Sequence, residues 1–114
     1  MGSRSAERTL FVKFLGETPL AQVLDFLIEN DIFDYTKTEI AKNSGVSRTS
    51  LYKIWPILEY YEIVKESRKI ANTKLYRLNK KNPIVKKLLQ LDLLLSKTMA
   101  EKVEAKYVMV AREK

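Results

Sequence analysis

Ser47, Arg48, Thr49 and Ser50, with Tyr52 and Lys53 close behind, crowd six hydrogen-bonding side chains into a seven-residue stretch. Hydroxyls and a guanidinium at this density suit anion recognition: arginine can grip the paired acceptors of a guanine edge, and small hydroxyl residues add weaker contacts. Thr36, Lys37, Thr38 and Lys42 precede the cluster, and Arg68, Lys69 and Lys74 follow it. Arg48 is the candidate base reader, with the lysines expected on phosphate and Tyr52 on backbone. Catalysis has far less to work with. The chain holds no Cys and no His, which removes thiolate nucleophiles, imidazole acid–base chemistry and thiol or imidazole metal sites. Three glycines, none in a phosphate-loop pattern, leave no nucleotide motif. Neither an enzyme nor a bound metal or cofactor is expected.

Charge is distributed in the same sense. Residues 1–35 carry three basic and six acidic side chains, net −3, whereas residues 36–82 carry eleven and four, net +7. Residues 83–114 add a net +3, so the total of +7 is concentrated around the cluster. A basic segment of this kind is the footprint of a polyanion-binding face. With 114 residues and 46% apolar composition, one globular domain with a single core is expected. The densest apolar patch, residues 88–95, is broken by Gln90 and Asp92, so no membrane span is expected. Residues 1–5 carry no weight in this reading. The opening segment lacks the basic-then-apolar layout of a secretory leader, which makes the cytoplasm the expected compartment.

The elements that must position these residues can be traced in order. Residues 10–15, LFVKFL, form an apolar run whose periodicity fits a strand or a helical turn. Thr18 and Pro19 open a helix as cap and first residue, with Leu20, Val23, Leu24, Leu27 and Ile28 on one face up to Asn30. Thr36 and Glu39 have the spacing of a capping box, opening a short helix that stops before Gly45. Ser47 caps the next helix, whose Leu51, Ile54, Trp55 and Leu58 face inward while Arg48, Thr49, Tyr52 and Lys53 face outward. This is a helix-turn-helix, whose second helix can lie in the major groove of duplex DNA. Pro56 sits inside that helix and predicts a kink or an early break. Residues 62–67 and 73–78 read as two strands, with 68–72 as a basic turn between them. A hairpin in that position is a wing.

Asn82 and Pro83 open a last helix with Ile84, Leu88, Leu91, Leu95, Met99 and Val103 along one stripe. If helical to Lys106 it spans roughly 36 Å, longer than the domain needs. Leu93 and Leu94 lie outside the stripe, so a second face needs covering, and a second copy of the chain is the simplest cover. Ile84, Leu88, Leu91, Leu94, Leu95, Met99 and Val103 are therefore the expected dimerisation residues. Asp92 beside the stripe reads as a register-setting polar group or a solvated edge. Residues 107–111, YVMVA, fit either more helix or a small strand.

The run EIAKNSGVSRTSLYKIWPILEYYEIV, followed by TKLYRLN and NPIVKKLLQLDLLLS, closely resembles small archaeal winged helix-turn-helix transcription regulators of the MarR- and ArsR-like group. The resemblance covers roughly residues 10–106. It implies a mainly α fold with a small antiparallel β-hairpin, a winged DNA-binding domain over residues 10–82 and a helical dimerisation extension over 83–114. It also implies a homodimer on double-stranded DNA, with Ser47, Arg48, Thr49, Ser50, Tyr52 and Lys53 in the groove and Arg68, Lys69 and Lys74 on the wing. Two departures stand out: Trp55-Pro56 within the recognition helix, and Tyr61-Glu62 where Leu-Gly is frequent before the first strand. The alternative is a winged helix whose basic face meets an acidic protein instead of DNA.

Overall fold

The computed structural model describes residues 9–112, with side chains placed through residue 106. Residues 1–5 and the last two residues of the 83–114 extension lie outside the described residues. The order is α1 (Leu10–Leu15), α2 (Pro19–Glu29), α3 (Lys37–Ser44), α4 (Arg48–Tyr60), β1 (Val64–Ile70), β2 (Thr73–Leu78) and α5 (Pro83–Arg112). The ambiguous LFVKFL run is thus helical: the Thr9 hydroxyl caps it by accepting from the Val12 amide, and Phe11 and Val12 are buried. Thr9 also donates to buried Asp25 on α2 at 2.9 Å, which joins the two helices.

The short helices are set by their caps. Thr36 and Glu39 close a reciprocal capping box, at 3.1 Å for the Glu39 amide on Thr36 and 2.8 Å for the Thr36 amide on Glu39. Gly45 then takes the left-handed conformation, φ +77°, ending α3. Val23, Leu27, Ile40, Leu51 and Leu58 from α2, α3 and α4 meet in one core, closed by Leu78 of the hairpin and Val85 of α5. Each is at most 1% exposed, the burial that positions α4 on α2 and α3.

α4 runs unbroken through Pro56 to Tyr60, so the early break does not occur. Pro56 is exposed; the Tyr52 carbonyl deprived of its helical partner therefore lies on the solvent side. Beyond α4, Glu62 adopts φ +55°. The Ile63 amide reaches back to the Leu58 carbonyl at 2.8 Å and the Glu62 amide to Glu59 at 3.0 Å. These are the two bonds of a Schellman ending, which glycine usually provides. Glu62 therefore keeps the turn that Gly would make there. Asn82 Nδ2 fastens it by donating to the carbonyls of Tyr61 and Glu62, and Asn79 Nδ2 also donates to Glu62.

The hairpin is antiparallel and longer than the sequence reading gave it. A register shift between Glu66 and Arg68 lets the ladder continue to Ile70 opposite Thr73, so Arg68 and Lys69 lie in β1 rather than in the turn. Only Ala71 and Asn72 remain at the tip, with Ala71 at φ +55°. α5 continues as helix through residues 107–111 and, at 30 residues, measures about 45 Å. Its buried contact centres on Val85, with Leu88, Leu89, Leu91 and Leu95 packed beside it, while Ile84 stays 47% exposed. Among the described residues no helix is long and apolar enough to cross a membrane.

Candidate nucleic-acid interface

The polar cluster of α4 divides into groups that build the helix end and groups that face outward. Ser47 Oγ accepts from the Ser50 amide at 3.0 Å and donates to Ser50 Oγ at 2.9 Å, so both serines are engaged in the cap. Arg48, Thr49, Tyr52 and Lys53 are exposed. Arg48 Nη2 donates to Thr38 Oγ1 at 3.1 Å, which leans the guanidinium toward the start of α3 and leaves most of its five donors uncommitted. Thr36 is likewise occupied in its capping box, while Lys42 is exposed on α3.

Lys37 lies among aromatic rings. Its Nζ lies 5.0 Å from the ring centroid of Trp55 and 5.6 Å from those of Tyr52 and Tyr76. All three are within cation–π range, where one contact is worth about 0.5–2 kcal/mol depending on desolvation. Trp55 and Tyr76 are buried and meet edge to face at 4.9 Å.

On the wing, Arg68 is paired with Asp34 from the loop between α2 and α3, Nε to Oδ2 at 2.8 Å and Nη2 to Oδ1 at 3.2 Å. Ser67, the residue displaced by the register shift, donates to Asp34 Oδ2 at 2.6 Å. These hydrogen bonds, Arg68's first and Ser67's next, hold the Asp34 carboxyl down at about 2, below its ordinary 3.8. A second tie lies alongside: Tyr35 and Tyr76 exchange both backbone hydrogen bonds at 2.8 Å. Nearer the tip, Lys69 and Lys74 sit directly opposite each other in the ladder. Like charges in that position destabilise a hairpin. Among the described residues Lys74 pairs with Glu66 at 3.8 Å, and both lysines are exposed.

Of the sequence-derived site residues, α3 and α4 bring Thr38 and Arg48 into contact, and the ladder brings Lys69 to Lys74. The Lys37 ring box, Asp34 and Ser67 were missed. No spacing signal joins residues 34 and 68, or 37 and 76, because the wing must fold back before they meet. Of the expected dimerisation residues, Leu88, Leu91 and Leu95 already pack on their own domain's core. Ile84, Leu94, Met99 and Val103 are exposed, as is Leu93. Asp92 is half-buried, and its carboxyl is pushed up, first by desolvation and then by the charge of Glu29.

No protein-family model matches the chain, and no curated protein matches it. Solved structures do. A zinc-responsive MarR family member, ZitR of Lactococcus lactis, is similar over 96% of this chain and 88% of its own, at 21% identity and a TM-score of 0.55. A mutant of the same protein in complex with DNA matches over 87% of this chain and 80% of its own, at 20% identity and 0.54. A DNA-binding protein from Sulfolobus solfataricus matches over 77% and 92%, at 10% identity and 0.50. Likeness at these identities establishes the fold: a MarR-like winged helix with a two-stranded antiparallel wing and a long C-terminal helix.

Proposed function

We propose that this chain is a sequence-specific regulator of transcription that binds double-stranded DNA as a homodimer. In this reading α4 enters the major groove with Arg48 on base edges, and the wing lies along the backbone or minor groove. The observation that carries it is the opposed pair Lys69–Lys74 on an exposed wing, within a segment of net charge +7. A hairpin destabilised by facing cations gains most from a polyanion between them. Similar structures bind DNA, one of them seen on it, which supports the same reading. The zinc response named for ZitR does not come with it, since this chain has neither Cys nor His.

Dimerisation is supported by apolar surface that the single chain leaves open. Leu94 is 59% and Val103 66% exposed. An apolar groove of about 570 Å³ runs between Leu10 of α1 and Met99, Ala100 and Val103 of α5. Phe14 and Leu15 of α1 are also exposed. Two copies joined there would offer two recognition helices to half-sites about one DNA turn apart.

Gel shifts on a random duplex across a salt series test the first part: affinity should fall steeply as salt rises. Absence of binding at moderate salt would point to an acidic protein partner instead. Sedimentation without DNA tests the second, and a monomer at micromolar concentration would overturn it.

A further inference from the structure

Lys37 stands at the start of α3, where a free lysine would be counted as one more phosphate contact. The geometry says otherwise. Its Nζ is within 5.6 Å of three ring centroids at once, Tyr52 and Trp55 on α4 and Tyr76 on β2. Three separate elements meet at this one cation. The Trp55 indole is 3% exposed, and its buried Nε1 makes no hydrogen bond among the described residues. Apolar packing holds the ring in the core, and the cation over its face is the polar contact that orients it. Tyr52, the third ring, is 49% exposed and stands beside Lys53 on the outer face of α4. Withdrawing Lys37 toward a phosphate would surrender three ring contacts together. Lys42, Lys53 and Lys69 are exposed and carry no such constraint.

We propose that Lys37 is a positioning residue for the recognition surface. It braces α4 against the wing through the ring box, stays in the box when DNA binds, and is not a phosphate ligand. The proposal rests on the DNA-binding reading above, but its optical test does not.

Trp55 is the only tryptophan, so its emission reports on the box directly. The experiment compares the full chain with Lys37→Met, which keeps length and loses charge, and Lys37→Arg, which keeps a cation for the rings. Each is titrated with a random duplex and with a duplex selected from a random pool by the wild-type protein. Lys37→Met is expected to shift Trp55 emission in the free protein, and Lys37→Arg to restore it. Binding to the selected duplex should drop by a factor bounded by the about two- to thirtyfold that such a contact is worth, with a smaller loss on random DNA. The slope of log affinity against log salt should stay at the wild-type value.

A slope flattened by about 0.9, the loss of one phosphate contact, with equal losses on both duplexes, would overturn the proposal. So would wild-type emission that moves on DNA addition to the Lys37→Met value. That second measurement is made on the wild type and needs a variant only as its emission reference; if Lys37→Met fails to fold, Lys37→Gln supplies that reference. If the wild type binds neither duplex, the DNA-binding reading fails by itself. The emission comparison still judges the brace, and an unshifted Lys37→Met would sink it.

Discussion

α4 and the wing are the two elements that would meet DNA, and they are held by different physics. α4 is fixed by burial: Leu51, Trp55 and Leu58 are at most 3% exposed along its inner face. The wing buries Val64 of β1 and Leu75, Tyr76 and Leu78 of β2, while the outer part of β1 is tied by Asp34, Arg68 and Ser67 at the surface. Apolar burial is neither screened by salt nor titrated, whereas a surface ion pair is screened by salt and titrates. The fold thus seats α4 by burial and leaves the outer part of β1 tied through groups that respond to salt and acid.

The comparison breaks most visibly at Leu51. Leu51→Ala should destabilise the whole domain by about 2–5 kcal/mol, a large share of the roughly 5–15 kcal/mol such domains possess. Denaturant unfolding measures it, and a loss under about 1 kcal/mol would mean that burial does not hold α4. Arg68→Ala should leave global unfolding nearly unchanged while speeding amide exchange in β1 and β2.

The next largest effect separates reading from tethering. Arg48→Ala should cost about 1–3 kcal/mol on a selected duplex and relax preference at one base pair. Lys69→Ala should weaken all sequences nearly alike and flatten the salt slope by about 0.9. Equal losses on selected and random DNA for Arg48→Ala would remove it from the base-reading role.

The same division decides what could be read in advance. Helix starts were legible because capping is local: Thr18, Thr36 and Ser47 each cap the helix expected. The wing was legible as a hairpin but not in register, because a one-residue bulge at Ser67 depends on Asp34, far away in sequence. On α5 the apolar stripe was found, but its buried centre is Val85 rather than Ile84. Leucines surround the helix so broadly that periodicity leaves its orientation uncertain by a residue. The contacts of Lys37 and Arg68 were hidden for a further reason: sequence counts a cation but not what already holds it.

Glu62 sharpens the comparison at the joint between the two elements. A non-glycine residue in the left-handed region is strained by about 1–2 kcal/mol, offset in part by the roughly 0.5–1 kcal/mol entropy cost of glycine. Glu62→Gly should therefore stabilise the domain by about 0.5–1 kcal/mol, read as a higher denaturation midpoint. The two Asn82 bonds and the Asn79 bond to the Tyr61 and Glu62 carbonyls would remain, so the wing should not move. Destabilisation by Glu62→Gly would show that the Glu62 side chain holds the joint in its own right.

The smallest effect is the most specific to the wing. Asp34 has its folded pKa depressed from 3.8 to about 2, chiefly by hydrogen bonds from Arg68 and Ser67. A depressed carboxylate contributes its stabilisation fully above the unfolded value and loses it as pH falls through the folded one. The tether should accordingly be intact at neutral pH and fade between about pH 4 and pH 2. Asp92 has the opposite sign: its raised pKa, from desolvation and then Glu29, means that its protonation favours the folded state. Nuclear magnetic resonance titration of the Arg68 Nε–H and the Ser67 amide should give a midpoint well below 3.8 while α4 amides stay fixed. In Asp34→Asn the same wing signals should be shifted at neutral pH and insensitive to acid over that window. A wild-type midpoint at the ordinary carboxylate value would mean that the wing is not tied through Asp34, and the contrast with α4 would lose its basis.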